Sequence, residues 1–451
     1  MNPKRSTAIR AASAAVAAAM LLTACSGDEE GGGGDGDMTV VTVWDRAGAE
    51  ADVRAPFFEE WNESEGASLG IQVDYVPQAI DRYEELINQG FQTGRAPDIF
   101  HGPSSQLGAY VAAGWVLPLD GLVADETLAA AEQFLPPTSE LVRDGHPYAI
   151  PTTTFTNRLM INRDVFEAAG LDADNPPLTF SEVEEASQQI VESSDGEAYG
   201  LALPITWVGF RDWFVDVQVM ASNPDLTQNG LFNIETGEFE SEQYQDVMEH
   251  YRTLLDEGLA YPGASTMDIS DATAAFANGE VGMLLGSSGT TSAVHQLNPD
   301  INFAAGPIPV ADGSELVRSP MNAGFPYSIS STTENEEAAA TVLEVIAGTE
   351  MQSALAEGGV PPASQDAWGV AVEANSMLEY FTINETDEQW PKKPGAVIPV
   401  EGATATQTIE QILLEPSTDI VTELAALQQR YVEAWDRGIE QELFNPDEFM
   451  R

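Results

Sequence analysis

Three short apolar runs near the start of the chain, MTVVTVW (38–44), IQVDYV (71–76) and DIF (98–100), decide the fold class. Each is short and rich in β-branched or aromatic residues, which is typical of strands. The segments between them, VRAPFFEEWN (53–62) and DRYEELINQGF (81–91), repeat apolar residues at helical spacing. Because strands and helices alternate, the sequence predicts an α/β architecture with a largely parallel sheet.

The later part of the chain continues this alternation. We predict a strand at 159–161 and helices at 164–169, 182–192, 338–347 and 420–437. Thr179 or Ser181 is expected to cap the helix over 182–192. Thr333, with Glu336 three residues further on, predicts a capping box for the helix over 338–347.

The single cysteine, Cys25, follows the features of an export signal. A basic start precedes an apolar stretch over 11–22, which is too short to span a bilayer as a mature helix. The next residues, LTAC (22–25), resemble the lipobox of bacterial lipoproteins, whose cysteine receives a diacylglyceryl group before cleavage. We therefore expect a lipoprotein signal peptide over 1–24 and lipidation at Cys25. The alternative is a plain secretory signal with a chance cysteine near its end.

Residues 25–37 have the composition of a tether. After the cysteine they are Ser, Gly, Asp and Glu, with four consecutive glycines at 31–34. Such a segment cannot bury enough apolar surface to offset the entropy of ordering, so we expect a flexible, acidic spacer. Together with the lipid, it would hold the protein at the outer face of the cell membrane.

The chain is strongly acidic, with a formal net charge of −55 from 73 acidic and 18 basic residues. Such a surface repels nucleic acid and anionic lipid, which excludes both as partners. Lys392 and Lys393 are the only lysines after the export signal. An acidic, lysine-poor surface resembles proteins adapted to high salt; ordinary acidity of an exported protein is the alternative.

Several segments, in order along the chain, resemble the extracellular solute-binding proteins of ABC importers, in the sugar-binding group that includes maltose-binding protein. They are APDIF (96–100), GWVLPLD (114–120), YAIP (148–151), LMINRD (159–164), FEAAGL (166–171), FANGEVGM (276–283) and GGVPPA (358–363). Each segment alone is weak. Their order and spacing over roughly the whole mature chain carry the resemblance.

The resemblance implies a two-lobed periplasmic-binding-protein fold of type II, a Venus flytrap that closes on ligand about a hinge. The chain would cross this hinge three times, near 152–156, 324–327 and 360–365. Lobe one would comprise 38–153 and 326–365, and lobe two 154–325 and 366–451. The resemblance further implies a monomer without enzymatic activity, cofactor or metal. Its partners would be a small-molecule ligand, a carbohydrate by the resemblance, and the transmembrane subunits of an ABC permease.

Aromatic residues crowd the segment after the predicted strand at 199–203. Sugar sites place aromatic rings against the C–H-rich faces of the sugar and fixed donors and acceptors around its hydroxyls. In sugar-binding relatives the matching segment supplies aromatic cleft residues, so the resemblance implies stacking by Trp207, Phe210 and Trp213. The alternative is a helix whose aromatic residues pack in the core, which we expect for Phe214.

Candidate residues of lobe one follow two strands and lie at the first hinge crossing. Ligands of open α/β sheets bind at the carboxyl ends of strands. The resemblance also implies a polar ligand residue after the third strand and cleft-facing residues at the crossing. The candidates are Trp44, Asp45, Arg46, Ser104, Ser105, Thr153, Thr154 and Phe155. The alternatives are that Trp44 belongs to the core and that the threonines bond only to backbone.

One segment departs from the family. Relatives often carry a tryptophan shortly after the strand that matches 279–283, whereas this chain has GSSGT at 286–290. Stacking from that side would be lost, which leaves Ser288 as a hydrogen-bonding candidate and Trp390 as a ring that could fill the gap. The departure leaves the type of sugar open.

The primary hypothesis is therefore capture of a sugar or oligosaccharide for an ABC importer. The chain shows no nucleophile turn, no phosphate-binding glycine loop and no metal-ligand spacing of His and Cys. A secreted glycoside hydrolase with two carboxylates is the enzymatic alternative. A non-sugar solute such as a polyol, a phosphodiester or a peptide is another, with Arg46, Arg158 and Arg211 as candidate clamps.

Overall fold

Two β-sheets organise the chain in a computed structural model, which describes residues 38–79, 82–102, 104–137 and 139–451. The predicted signal peptide over 1–24, the lipidation site Cys25 and the tether over 25–37 lie outside the described residues. We call the elements packed on the first sheet the first lobe and those packed on the second sheet the second lobe. Residues Met38–Arg451 form one compact unit.

The described strands alternate with helices over most of the chain. The strands are β1 Thr39–Arg46, β2 Ile71–Gln78, β3 Ile99–His101, β4 Val142–Arg143, β5 His146–Pro147, β6 Ile150–Phe155, β7 Asn157–Asn162, β8 Tyr199–Leu201, β9 Phe232–Asn233, β10 Glu238–Phe239, β11 Val281–Ser287, β12 Phe303–Gly306, β13 Ser319–Ile329 and β14 Asp387–Gln389. The helices are α1 Ala49–Glu63, α2 Glu65–Leu69, α3 Tyr83–Thr93, α4 Ser104–Ala112, α5 Asp125–Ala130, α6 Arg163–Ala168, α7 Phe180–Ser193, α8 Val217–Ser222, α9 Gln245–Asp256, α10 Ile269–Ala277, α11 Ser288–Leu297, α12 Glu336–Ala347, α13 Thr349–Glu357, α14 Trp368–Ala374, α15 Ala405–Leu414 and α16 Ile420–Glu440.

The first sheet has the strand order β14-β13-β3-β1-β2, with β6 paired to β13. Strands β2, β1 and β3 are parallel, as the sequence predicts. Strand β13 is antiparallel to β3 and to β6. The expectation of parallel strands therefore holds for β1 with β2 and β3 and for β13 with β14. It fails for β13 with β3 and β6, because β13 enters the first sheet in the reverse direction after the chain has passed through the second lobe.

The second sheet has the order β12-β7-β11-β8 and is also mixed. The buried apolar residues divide along the same line. One cluster packs on the second sheet and includes residues of α14, α15 and α16. Two clusters pack on the first sheet. Each lobe therefore has its own hydrophobic core, which accounts for the α/β alternation restarting in the second half of the sequence.

Helix capping follows the sequence at one predicted site and not at the other. Thr179 caps α7 and forms a capping box with Glu182, which selects Thr179 over Ser181. The box expected from Thr333 at the start of α12 is wrong. Asn335 occupies the cap position there, and the Thr333 hydroxyl donates to the Asp98 carboxylate at 2.5 Å. The Thr333 oxygen also accepts from the Asn335 amide at 3.2 Å, so its bonds are made in the turn before the helix begins.

Three chain segments lie side by side where the two lobes meet. Strand β6 pairs along β13, and the chain passes from β6 through Thr156 directly into β7 of the second sheet. The third segment bonds to β6 from Pro361, whose carbonyl accepts from the Thr154 amide at 3.3 Å, and from Ala363, whose amide donates to the Thr152 carbonyl at 3.1 Å. These positions match the three expected crossings; the exact lobe boundaries stay a prediction.

Within the described residues, no helix is both long enough and apolar enough to cross a membrane.

Candidate functional site

Three aromatic residues from distant parts of the chain meet beside the crossing segments, and we call them the junction cluster. They are Phe155 at the end of β6, Trp213 in the π-helical segment Arg211–Asp216, and Trp390 directly after β14. The ring centroids of Trp213 and Trp390 lie 5.0 Å apart, and those of Phe155 and Trp213 lie 6.1 Å apart. Phe155 and Trp213 are partly exposed, whereas Trp390 is buried. The structure thus brings together three of the predicted ligand-binding candidates.

Two glycines make room for the Phe155 ring. A Cβ atom on Gly289 would lie 2.7 Å from the ring, and one on Gly324 would lie 2.9 Å from it. Both distances are too short for a real side chain, so the ring position requires glycine at both places. The departure of 286–290 from the family pattern therefore has a structural role as well, since Gly289 lets the chain approach the junction cluster closely.

Two predicted hydroxyl groups lie at the same junction. Thr153 and Thr154 are fully buried, and the side-chain oxygen of each has no hydrogen-bond partner among the described residues. The Thr153 oxygen adjoins Gly324 on the face of β6 that also carries the Phe155 ring. Unpaired buried hydroxyls are unusual, and each such group needs an explanation.

Ser288 does not share this property. Its hydroxyl donates to the Thr154 carbonyl at 2.6 Å and accepts from the Thr156 amide at 3.3 Å. The residue is fully buried. The structure therefore uses Ser288 to join the start of α11 to the first crossing, which corrects the expectation of a ligand contact because the buried hydroxyl already donates to one protein group and accepts from another.

Arg211 is surrounded by acceptors. Its guanidinium donates to Asp212 at 2.9 Å, Asp216 at 3.2 Å, Asn229 at 3.0 Å and Thr406 at 2.8 Å. Burial raises the pKa of Asp216 to about 6, although Arg211 favours its charged form. Arg211 is therefore a structural counter-ion in this arrangement and not the free clamp that we expected.

Arg158 is neutralised in the same way. Its two terminal nitrogens donate to the two carboxylate oxygens of Asp387, each at 2.8 Å, in a bidentate pair. Further bonds go to backbone carbonyls of the same segment. Among the described residues, no group of three or more His, Cys, Asp or Glu side chains is arranged to hold a metal ion.

Asp45 also belongs to a closed network. It accepts from Arg54 at 3.1 Å and from the Tyr75 hydroxyl, and Arg54 donates in turn to the Thr152 hydroxyl at 2.6 Å. Arg54 also lies 5.1 Å from the centroid of the Tyr327 ring. Burial, the largest single influence, raises the pKa of Asp45, but Arg54, His101 and hydrogen bonds from Tyr327 and Tyr75 together outweigh it and hold the pKa of that carboxyl below its ordinary value. The expected role of Asp45 as a ligand contact is thus corrected to that of a buried counter-ion.

The other lobe-one candidates differ in environment. Trp44 packs against the core, as its alternative predicted, and its carbonyl accepts from the Tyr83 hydroxyl at 2.9 Å. Arg46 is half-buried, and its side chain makes no hydrogen bond or ion pair to any part of the chain that the structure describes. Ser104 and Ser105 begin α4, and their side chains lie outside the description.

Phe210 is not a cleft residue. It is 1% exposed and lies in the core of the second lobe, where its ring centroid is 5.3 Å from that of Phe214 and 5.8 Å from that of Tyr251. Residues four apart share one face of a helical turn, so Phe210 and Phe214 point inward together while Trp213 faces away. The prediction for Phe214 is confirmed and that for Phe210 is wrong. Trp207 is partly buried and lies 6.4 Å from Phe214, edge to face.

Sequence reasoning missed a group of polar residues around Lys393, three positions after Trp390. Lys393 donates to Gln228 at 2.7 Å and lies 3.8 Å from the carboxylate of Glu140. All three are buried. The signal that could have found them is the lysine pair itself, since the rest of the mature sequence avoids lysine.

Comparison of the chain with known proteins identifies the family to which it is similar. The family model of the bacterial extracellular solute-binding proteins matches residues 44–353. A binding protein of Brucella abortus (strain 2308) is 24% identical over 346 residues, which cover 75% of this chain and 81% of that protein. The sn-glycerol-3-phosphate-binding periplasmic protein UgpB of the same organism is 28% identical over 282 residues, covering 59% of this chain and 60% of UgpB.

A solved structure shows the same fold at low sequence identity. The sugar-binding protein MalE from Xanthomonas citri superposes with a TM-score of 0.70 at 18% identity. The match covers 89% of this chain and 99% of MalE. The fold is thus the two-lobed one of periplasmic solute-binding proteins.

Proposed function

Because the chain belongs to the bacterial extracellular solute-binding protein family, we propose that it captures a carbohydrate between its lobes and delivers it to the membrane subunits of an ABC importer. It would do so as a binding protein without catalytic activity. No cofactor is needed for this role.

The observation that carries the proposal is the junction cluster with the unpaired Thr153 hydroxyl beside it. The partly exposed faces of Phe155 and Trp213 offer the apolar surface on which a sugar ring stacks. The unpartnered oxygen of Thr153, on the same face of β6 as Phe155, offers a donor and an acceptor for sugar hydroxyls nearby. A carbohydrate needs both kinds of surface together, and within this site both lie beside the hinge segments.

The charges around the cluster favour a neutral ligand. Arg211 and Arg158 are each paired with carboxylates, so neither has charge to spare for an anion. A net charge of −55 also repels anionic solutes at long range. The second candidate is a phosphorylated polyol, the ligand class in the name of the UgpB relative. The half-buried Arg46, whose side chain has no protein partner in the described part of the chain, is the observation that favours it.

Closure about the three crossing segments would trap the ligand. A ligand shifts such an equilibrium only by binding the closed form more tightly. We place the lobe boundaries at 153/154, 325/326 and 365/366, as the sequence predicts. Small-angle scattering should show a smaller radius of gyration when ligand is added, and an unchanged curve with a bound ligand would contradict the closing mechanism.

Lipid at Cys25 would keep the protein near its permease on the outer face of the cell membrane. The support is the lipobox-like LTAC at 22–25 and the glycine-rich segment that follows. Replacement of Cys25 with Ser should abolish palmitate labelling in the producing cell. Labelling that persists in this variant would show the anchor assignment to be wrong.

A thermal-shift screen against neutral saccharides, glycerol phosphate and glycerophosphodiesters tests the ligand class. A ligand that binds only the folded state raises the melting temperature in proportion to the logarithm of its concentration. We expect a shift with at least one neutral saccharide and none with the phosphorylated compounds; the reverse pattern would favour the second candidate. Analysis of the same saccharides for cleavage products tests the hydrolase alternative.

A further inference from the structure

The segment WPKKPGA, residues 390–396, touches both lobes, and we call it the strap. On the first lobe, Pro391 pairs with Ser139 in an antiparallel bridge, and Lys393 lies 3.8 Å from Glu140. On the second lobe, Lys393 donates to Gln228 at 2.7 Å. The strap therefore crosses the boundary between the lobes at the position where the junction cluster ends in Trp390.

The two lysines of the strap, which are buried and charged, indicate that its position is fixed by specific contacts. Lys392 and Lys393 are the only lysines in the described chain, and both are buried. A buried ammonium group is costly unless it is paired, and truncation of one partner leaves a charge uncompensated. Lys393 has an ion-pair partner on one lobe and an amide partner on the other, so it fixes the strap to both.

Lys393 also determines which polar atom of Gln228 is left without a partner. Because the Gln228 oxygen accepts from Lys393, the amide nitrogen of Gln228 is left as a donor. That nitrogen has no acceptor among the described residues, and neither does the indole nitrogen of Trp390. Gln228 is 0% exposed and Trp390 is 3% exposed. Two buried donors without acceptors, one on the strap and one on the side chain that Lys393 of the strap holds, indicate oxygen atoms supplied by a ligand.

Building on the proposed function, we propose that the strap closes one end of the cleft and that the ligand is a short carbohydrate bound by one terminal unit. That unit stacks at the partly exposed Trp213 and accepts hydrogen bonds from the Trp390 indole and the Gln228 amide. A longer chain can then extend only away from the strap. Trp390 and Gln228 are specificity-determining residues, since they select for a free end.

Ligands blocked at either end test this geometry on the unaltered full chain. The probes are maltotriose and xylotriose, each unmodified, with a 2-aminobenzamide label at the reducing end, or with a bulky ether on the non-reducing terminal hydroxyl. For the trisaccharide that binds, we expect one of the two blocked forms to bind at least about tenfold more weakly and the other to bind within about threefold. Equal effects of the two blocks, tolerated or not, overturn the inference.

A variant separates the indole donor from the ring. Trp390→Phe keeps an aromatic face and removes the N–H, so we expect about three- to tenfold weaker binding of the unmodified trisaccharide. The matched control is Trp368→Phe, whose indole donates to Thr382 within the second lobe at 2.9 Å; it should leave affinity unchanged. Equal affinity of Trp390→Phe and the parent overturns the role of the donor. If neither unmodified trisaccharide nor any other saccharide binds, the proposed function fails and the strap inference with it.

Discussion

Asp45 and the residues of the junction cluster were all expected at the cleft, yet the structure completes the bonding of one group and leaves the other open. In the Asp45 network, Asp45, Arg54, Tyr75 and Thr152 bond to one another within the protein. In and beside the cluster, Trp390 and Thr153 carry buried polar atoms without partners among the described residues. The comparison teaches that unsatisfied bonding capacity, more than residue type, separates a binding surface from a structural one.

The largest expected effect tests the structural half of this comparison. Arg54→Met removes the partner of a fully buried carboxylate, so we expect the free energy of unfolding to fall by about 3–5 kcal/mol. Urea titration followed by circular dichroism measures this change. Ligand affinity of the folded fraction should stay within about threefold, because the side chains of the network bond to one another and none belongs to the junction cluster.

A double variant serves as the control for that experiment. Asp45→Asn in the Arg54→Met background removes the stranded charge and should recover part of the lost stability. If Arg54→Met is as stable as the parent, or if it abolishes binding while remaining folded, the Asp45 network is not the purely structural element that we describe.

The next effect tests the functional half. Trp213→Ala removes the central ring of the junction cluster and should weaken saccharide binding by about 2 kcal/mol, roughly thirtyfold, as measured by calorimetry. The control is Phe210→Leu, which lies in the core of the same lobe and should lower stability by about 1–2 kcal/mol with unchanged affinity. Parent-like binding by Trp213→Ala would move the site away from the cluster.

Sequence patterns predicted the fold because periodicity is a local property. The parallel core of β1, β2 and β3, the cap at Thr179 and the helix at the C-terminus follow from residues a few positions apart. The mixed character of both sheets did not follow, since the direction in which β13 enters depends on the path of the chain through the other lobe.

The candidate site was predicted only in part, for a related reason. Position near the end of a predicted strand suggested Asp45 as a ligand contact, but the sequence could not show that Arg54 lies against it. Helical spacing could have separated Phe210 from Trp213, since Phe210 and Phe214 are four residues apart. The polar group formed by Gln228, Lys393 and Glu140 joins three distant segments, and no local pattern encodes such a meeting.

The next prediction, of intermediate size, concerns how the free energy of unfolding depends on pH through His101, whose charge would interact with that of Asp45. Burial lowers the pKa of His101, at the end of β3, to about 3; Asp45 opposes this shift, and Arg46 and Arg54 add to it. In the unfolded chain the group has its ordinary pKa of 6.5. Between these values the unfolded state binds the proton and the folded state does not, so stability is lost as pH falls, by at most about 1.4 kcal/mol per pH unit.

His101→Gln should remove this contribution. We expect the difference in unfolding free energy between parent and variant to be constant above pH 7 and to shrink as the pH falls from 6.5 to 5, measured by urea titration at each pH. A difference that stays constant over the whole range would show that His101 is not held neutral by burial.

The smallest expected effect concerns Trp207, which the sequence ranked with Trp213. Its ring is partly buried and packs edge to face on Phe214, outside the junction cluster. A ring that is already held by the protein has less surface left to bury against a ligand, so Trp207→Ala should weaken saccharide binding by only about threefold, or roughly 0.7 kcal/mol. Calorimetry beside Trp213→Ala measures the difference, and Val208→Ala, at an 86% exposed neighbour, controls for disturbance of the turn. Trp207→Ala could instead cost as much affinity as Trp213→Ala while Val208→Ala costs none. Stacking would then extend beyond the junction cluster onto this turn, and Trp207 would belong to the binding surface and not to the structural part of the second lobe.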